Sequence, residues 1–571
     1  MTPDVTTDHG YARDLEVDWL VTGSGAAGMT SAVIAHDLGA TTLIVEKSPL
    51  YGGSTAMSGG AIWVPANHLM AKLGEHDSRE DAARYLMGIT EGQADPLLVD
   101  AYLDAAPEMV LYLEAHSRVR FAAVEGYPDY YPEREGGRFG ARTIEPLPFD
   151  ALELGDEFRL QRPFSERSFL LGMISMTALE VKTMLAGGWP MYRLLLRQLL
   201  AWVIHWRARL RLGMKTSRLT LGRSLAARLR RSLLDRAVPL WLDAPLRELV
   251  RDDDGRVVGG VVERDGARLR IHARKGVLLA SGGFEQNEAL RHHHQPSPTG
   301  TQWALGADSN TGDAVALGGA LGADFRLMED AWWCPVFKVP GEAAPFISVV
   351  EKGMPGSMMV NARGERFMNE AAPYNDMVKS MYAAHSDESP AIPCYMVFDA
   401  DFRQKHSCGP VKPGYMQPDH RLPPELKAFL HRGETLAELA EELGMEAPRL
   451  EASIERFNGF ARSGRDEDYH RGESAQDRYY SDPQVEPNSC LAPIAQAPFY
   501  AAAVYPGDLG TKGGLRTDRH ARVLDPGGRP IAGLYAAGNC AASMMEHTYP
   551  GAGGTIGPAM TFGWLASQHA L

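Results

Sequence analysis

The chain has 571 residues, of which 44 % are hydrophobic and 23 % charged, with a formal net charge of −14. That length exceeds one ordinary core, so two domains are the default, and the composition belongs to a folded globular protein. The acidic balance argues against general nucleic-acid affinity, and the absence of any run of about 18 apolar residues excludes a helical membrane span.

No secretory leader is evident, because the first apolar run begins near Leu15 and already belongs to a nucleotide motif. Val17 to Thr22 reads as a short buried strand, running directly into Gly23-Ser24-Gly25-Ala26-Ala27-Gly28. A helix to about Leu38 and a strand from Thr41 to Val45, ending at Glu46, complete a βαβ unit. Gly23 permits the tight turn, Gly25 lets backbone approach a pyrophosphate, and Gly28 lets helix pack on strand. The free N–H groups at the helix start favour phosphate. Glu46 stands where a carboxylate accepts hydrogen bonds from a ribose 2′-OH. Lys47 then leads into Gly52-Gly53-Ser54-Thr55 and Ser58-Gly59-Gly60, a second glycine-rich segment suited to an extended pyrophosphate and ribityl chain. That addition favours FAD over NAD.

From Lys182 to Leu234 there are twelve Lys or Arg residues and no Asp or Glu. Within this insertion (182–234), Trp189 to Leu212 mixes leucines and tryptophans with Arg193, Arg197, Arg207, Arg209 and Arg211. The pattern fits an amphipathic helix in the headgroup region of a membrane, with a helix docked on the nucleotide domain as the alternative.

Gly276 to Gly283 reads as another buried strand, ending in Ala280-Ser281-Gly282, and Gly533 to Asn539 as one ending at Gly538-Asn539. The last helix should begin at Gly557-Pro558, with Gly554 and Ile556 before it, and its N-terminus can face the pyrimidine edge of a flavin. His292 to His294 are expected in a solvated loop. Cys334, Cys394, Cys408, Cys490 and Cys540 form no CxxC pair and read as free thiols in a reducing, cytoplasmic compartment. No metal site is expected.

Several further motifs occur in order: YPDYY (127–131), SNTGD (309–313), GERFMNEAAPY (364–374), DEDYHRGES (466–474), GDLGTKGGLRTD (507–518) and HTYPGAGGTIGPAMTFG (547–563). With these, the chain resembles the 3-ketosteroid Δ1-dehydrogenases of the fumarate reductase and succinate dehydrogenase flavoprotein superfamily. The resemblance implies non-covalent FAD and a 3-oxosteroid substrate such as 4-androstene-3,17-dione. It further implies that Tyr549 and the Gly553 N–H bind the C3 oxygen. Tyr374 would take the C2 proton as a phenolate or near-phenolate, and Tyr130 would hydrogen-bond Tyr374 and help carry the proton out. Tyr131 can exchange roles with Tyr130 if the loop register differs. Glu546 departs from the small residue expected there, and should face solvent or pair with a cation.

The expected fold is α/β: a discontinuous Rossmann-type FAD-binding domain from residues 1–330 and 510–571, with an inserted α+β catalytic domain, residues 331–509, capping the flavin. A quinone acceptor and peripheral contact with the inner face of the cell membrane suit so apolar a substrate. Desaturation at C4–C5, a fumarate-type reductase and a non-catalytic flavin-bearing surface protein are the rival readings. A fumarate reductase needs an arginine acid and a dicarboxylate clamp, and the final glycine-rich loop carries Tyr549 instead.

Overall fold

The computed structural model describes residues 13–163, 176–186, 188–204, 206, 210 and 217–571. The first strand, Arg13–Thr22, is longer than the expected Val17 to Thr22, and its extra residues pair with Leu269 to His272. It stands inside a sheet whose main path runs Arg522–Leu524, Pro530–Ala536, Ala267–Leu279, Arg13–Thr22, Thr42–Val45, Leu240–Trp241. The pairs along this path are parallel except the first, and the strands Leu246–Arg251 and Val257–Arg264 extend it antiparallel. Leu20, Leu43, Val277, Leu279, Leu534 and Ala536 fill one core against it.

The helix Ala26–Asp37 has every residue from Ala26 to Ala35 buried. A helix apolar all round belongs inside a core, not on a surface. Small residues let the last helix, Ile556–Ala570, lie close against it: a Cβ on Gly563 would meet the Ala27 carbonyl oxygen at 2.5 Å. Ser31 Oγ and Ser567 Oγ hydrogen-bond across that contact at 2.7 Å, so neither hydroxyl is left dry and unpaired. Residues from both ends of the chain thus form one layer.

A second sheet is antiparallel throughout. Its path runs Phe346–Ile347, Ala331–Phe337, Phe499–Thr511, Cys394–Phe398, Ser357–Val360, with His431–Gly433 paired to the long strand. All six strands come from between Ala331 and Thr511. Helix Tyr374–Ala384 covers one face of this sheet, packing Met377, Val378 and Met381 into a core with Val336, Phe337 and Met396.

Three local expectations differ. The segment after Gly52 is a short helix, Gly53–Met57, entered through Gly52 at φ +105°, not an open glycine loop. His292 to His294 end the helix Glu288–His294, where His292 pairs with Glu288 one turn earlier. The last helix starts at Ile556, placing Pro558 within its first turn, where a missing N–H costs nothing.

Within the basic insertion, the described residues form helices Ala178–Ala186, Gly188–Ile204 and Leu221–Asp235. Trp189, Tyr192, Leu196, Leu199, Leu200, Val203 and Ile204 are exposed along the middle one, while Leu194 and Gln198 are buried. Arg207, Arg209 and Arg211 lie outside the described residues. No helix among the described residues is long and apolar enough to cross a membrane. All five cysteines are free and buried, and no group of His, Cys, Asp or Glu among the described residues is placed to hold a metal ion.

Candidate active site

The dinucleotide turn is built as the spacing requires. Gly23 has φ +95°, and a Cβ on Gly28 would strike the Gly23 carbonyl oxygen at 2.1 Å, so that contact between helix and strand needs glycine. A Cβ on Gly25, in contrast, would meet only Thr55 Oγ1 at 3.6 Å, so backbone here borders free space. Thr55 Oγ1 accepts the Ala26 N–H at 3.0 Å and ties the second glycine segment to the first helix turn. Ser54 Oγ receives the Ala307 N–H and the Asn310 side-chain amide, both at 2.9 Å. Gly282, at φ +81°, presses on Asn310, and a Cβ on Gly510 would meet the Asn539 amide at 2.3 Å. Ala280 and Gly538 close the strand ends, and Ser281 Oγ is buried without a partner.

Three predicted residues are engaged within the protein. The Glu46 carboxylate accepts from Ser24 N–H at 2.9 Å, Ser24 Oγ at 2.7 Å and Ser48 N–H at 2.9 Å, which holds the turn and leaves lone-pair room for a ribose hydroxyl. Lys47 is turned onto Asp313 at 2.8 Å and Thr311 at 2.6 Å. Ser58 Oγ donates to Thr55 O, while Gly59 is open and Gly60 packs against the backbone of Leu221 and Gly222. Gly25 and Gly59 bordering open space, the unpartnered buried Ser281 hydroxyl and free N–H groups at a helix start fit a flavin dinucleotide.

Across from this cradle, three tyrosines converge. Ring centroids lie 5.5 Å apart for Tyr130 and Tyr374, 5.2 Å for Tyr130 and Tyr549, and 5.5 Å for Tyr374 and Tyr549, all within the range of aromatic packing. Three separate segments supply them. Tyr130 comes from the loop before strand Thr143–Pro146, Tyr374 opens helix Tyr374–Ala384, and Tyr549 lies in the glycine loop before the last helix. Tyr131 is turned away, with its hydroxyl on Asp376 Oδ1 at 2.9 Å. The Tyr549 hydroxyl meets Thr555 Oγ1 at 3.0 Å, and its ring packs edge-on against Trp332 at 4.8 Å. Gly553, at φ +94°, presses on strand Ile62–Trp63, where a Cβ would come within 2.4 Å of Ile62 Cα. Only glycine fits there, and its N–H makes no hydrogen bond to the described residues.

Side chains that the sequence reading left without a role hold these loops. The Pro550 carbonyl accepts the Tyr130 N–H at 3.0 Å and the Tyr85 hydroxyl at 2.6 Å, locking the 127–131 loop onto the Tyr549 loop. Asp129 accepts from Trp63 Nε1 at 2.7 Å and pairs with Arg142 at 2.8 Å, and burial nevertheless pushes its carboxyl up to about 6. Lys512 donates to the Thr548 carbonyl at 3.0 Å and Lys379 to that of His547, so two ammonium groups grip consecutive carbonyls just before Tyr549. Asp330 lies between them, 3.4 Å from Lys512 and 3.0 Å from His547. Burial opposes its ionisation, but Lys512 and the His547 hydrogen bond hold it well below the usual carboxylate range. Lys512 sits inside the motif GDLGTKGGLRTD, whereas Lys379, five residues beyond Tyr374 on the same helix, carries no such signal.

Burial pushes the Tyr374 hydroxyl well above the ordinary tyrosine range, against a lowering hydrogen bond from Tyr130. The same cause raises Tyr130 and Tyr549. Burial thus works against a phenolate at Tyr374, because losing water costs the anion more than one phenolic donor returns. Glu546 takes the second course foreseen for it. It is buried, ion-paired with Arg326 at 3.1 Å, and raised by that burial.

The family model described as FAD binding domain matches residues 18–556. A 3-oxosteroid 1-dehydrogenase of Mycolicibacterium smegmatis is 44 % identical over 567 residues, covering 98 % of this chain and 97 % of that protein. One of Mycobacterium tuberculosis is 43 % identical over 571 residues, covering 98 % of each. Among solved structures, the 3-ketosteroid Δ1-dehydrogenase of Sterolibacterium denitrificans, in complex with 1,4-androstadiene-3,17-dione, superposes with a TM-score of 0.93 at 43 % identity, covering 97 % of this chain and 99 % of that one.

Proposed function

Because the chain belongs to the 3-oxosteroid 1-dehydrogenases, within the FAD-binding family that matches it from residue 18 to 556, we propose that Tyr130, Tyr374, Tyr549 and Gly553 carry out the 1,2-desaturation of a 3-oxosteroid. The chain is an FAD-dependent oxidoreductase acting on a CH–CH bond. Gly23 to Gly28, Glu46, Gly52 to Thr55, Ala280 to Gly282, Gly538, Asn539, Gly554 and Ile556 would hold FAD, which supplies an acceptor for the C1 hydride.

The chain's own residues supply the acid–base half. Tyr549 O–H and Gly553 N–H donate to the C3 oxygen and make the C2 proton acidic, the way paired donors act at any growing oxyanion. Tyr374 receives the C2 proton. It does so while its own proton moves on toward Tyr130, whose ring packs against it at 5.5 Å. The packed rings exclude water from the enolate. The observation that carries this reading is the triangle of three tyrosines from three remote segments, beside a glycine whose N–H has no partner among the described residues.

Incubation with 4-androstene-3,17-dione and an artificial acceptor, followed by mass spectrometry and NMR, tests it. A new C1–C2 double bond is the expected outcome; unaltered steroid would refute it. Peripheral contact with a membrane, and a quinone there as acceptor, extend the proposal. Support for the contact comes from the exposed apolar residues of helix Gly188–Ile204 beside Arg193 and Arg197.

A further inference from the structure

A small cavity opens beside the Tyr130 and Tyr374 side chains. Tyr130, Tyr374, Tyr127, Tyr480, Gln476, Asp477 and Lys352 line it. Lys352 sits in the turn Glu351–Gly353 and is 4 % exposed. Its Nζ donates to the carbonyl oxygens of Glu370, at 3.1 Å, and Ala372, both in the stretch that leads into Tyr374. An ammonium has three protons, so one is left over after these two bonds. A neutral amine has two protons and a lone pair, so it keeps both bonds and still has an acceptor. Lys352 can thus gain or lose a proton without releasing the base-bearing loop. Gln476, which also lines the cavity, has a buried Oε1 without a partner, a group that a water in the cavity could satisfy.

We propose that Lys352 is a further residue of the acid–base half-reaction, positioning the Tyr374 loop and receiving, through the cavity, the proton that Tyr374 and Tyr130 must pass on. The inference rests on the assignment of Tyr374 as base. In the step, the C2–H bond breaks and its electron pair stays in the enolate held at the C3 oxygen. The proton forms an O–H bond on Tyr374, and the proton Tyr374 displaces travels by Tyr130 or cavity water to the Lys352 lone pair, forming N–H. No redox partner enters this half, so it can be followed alone.

The electrostatic setting agrees. Burial lowers the Lys352 ammonium to about 8; Asp477, Cys334 and Asp376 oppose that lowering, Arg471 adds to it, and its neighbour Glu351 also couples to it. A group titrating there exchanges protons near neutral pH, as a relay needs.

The test is the exchange of C2 hydrogens of 4-androstene-3,17-dione with solvent deuterium, under anaerobic conditions, as a function of pH, using holoenzyme. The wild-type rate should rise with pH through an inflection near 8. In Lys352→Met the inflection should vanish and the plateau fall by about 10²-fold or more, with KM and FAD content retained. Asp477→Asn removes a charge that favours the ammonium, so it should move the inflection to lower pH while the plateau survives. A Lys352→Met profile like wild type, or an Asp477→Asn inflection that stays put, overturns the proposal. Should Lys352→Met fail to fold, Asp477→Asn alone decides. Failure of the parent reading looks different: wild-type enzyme would then neither exchange C2 nor form the C1–C2 alkene.

Discussion

Tyr374 and Tyr549 both pack against Tyr130, at 5.5 and 5.2 Å, yet the chemistry asks different things of them. Tyr374→Phe removes the group that takes the C2 proton, and turnover should fall by about 10²–10⁴-fold, the usual worth of a positioned acid or base. Steroid binding and FAD content should be largely kept, because the phenyl ring still fills the triangle; near-normal turnover would remove Tyr374 from the mechanism. Tyr549→Phe removes a donor aimed where negative charge grows. Such donors are worth roughly 2.7–4 kcal/mol, so its rate should drop by about 10²–10³-fold, with slowed deuterium exchange at C2. Slowed exchange at C6, with C2 unaffected, would point to desaturation at C4–C5. At this scale the sequence exposed the tyrosines through their motifs, since twenty tyrosines are present and no property of a single one separates it from the rest. It did not expose Lys352, Asp129, Tyr85 or Lys512. Each acts by where a carbonyl or carboxylate lies in space, as Tyr85 does at Pro550, 465 residues away, and no local pattern encodes such a partner. The elevated Tyr374 hydroxyl was hidden for the same reason: burial is a property of the assembled site.

Elements were easier to read where one physical requirement fixed them. The turn at Gly23 to Gly28 needs glycine at three places, and strand, helix and strand fall within a few residues of expectation. Gly53–Met57 was missed as a helix because paired glycines disfavour one by intrinsic propensity, and the tertiary contact through Ala56, which is buried, overrides that. No histidine occurs from Gly52 to Ser58, the part of the cradle where a covalent flavin link would be sought. Acid or heat denaturation should accordingly release intact FAD into the supernatant; yellow colour staying in the pellet would contradict it. The helix Gly188–Ile204 poses a separate question. Its exposed apolar residues recur at three- and four-residue steps, from Trp189 through Tyr192, Leu196, Leu199, Leu200 and Val203. Arg197 spends part of its charge on Glu180, 3.1 Å away, which the sequence could not show because Glu180 lies outside the acid-free stretch. Neutralising the five arginines from Arg193 to Arg211 should release the protein from anionic liposomes at low salt while dye-linked activity persists. Each basic residue near such a surface contributes on the order of 1 kcal/mol, so several together decide binding, and equal binding by wild type and variant would sink the membrane reading.

For the molecule as a whole, the two sheets divide the labour: one forms the cradle from both ends of the chain, the other carries Tyr374 and Lys352 on elements packed against it or inserted between its strands. The discontinuity was legible because glycine-ended strands occur near both termini, whereas the antiparallel order of the second sheet depends on pairings such as Val336 with Tyr505 that no spacing reveals. Joining the sheets around an active site buries charge, and that should appear in the stability of the entire fold. Glu351 is a clear case. Burial raises its carboxyl from 4.5 to about 7, against backbone hydrogen bonds, including one from Gly409 N–H at 3.2 Å, that favour the anion. A carboxyl raised on folding binds its proton more tightly in the native chain than in the unfolded one. Its stabilising contribution is therefore complete below about pH 4.5 and is lost as pH rises through about 7. Glu351→Gln has no such proton to lose. Thermal unfolding of holoenzyme followed by calorimetry at pH 5 and pH 8 should then show the variant gaining on the wild type at the higher pH, by on the order of 1 kcal/mol or more. The difference between the two proteins, not the pH trend of either, reports on Glu351 together with the neighbouring Lys352 to which its charge couples. A gap that stays constant across that window would mean that Glu351 ionises as freely in the fold as it does in water.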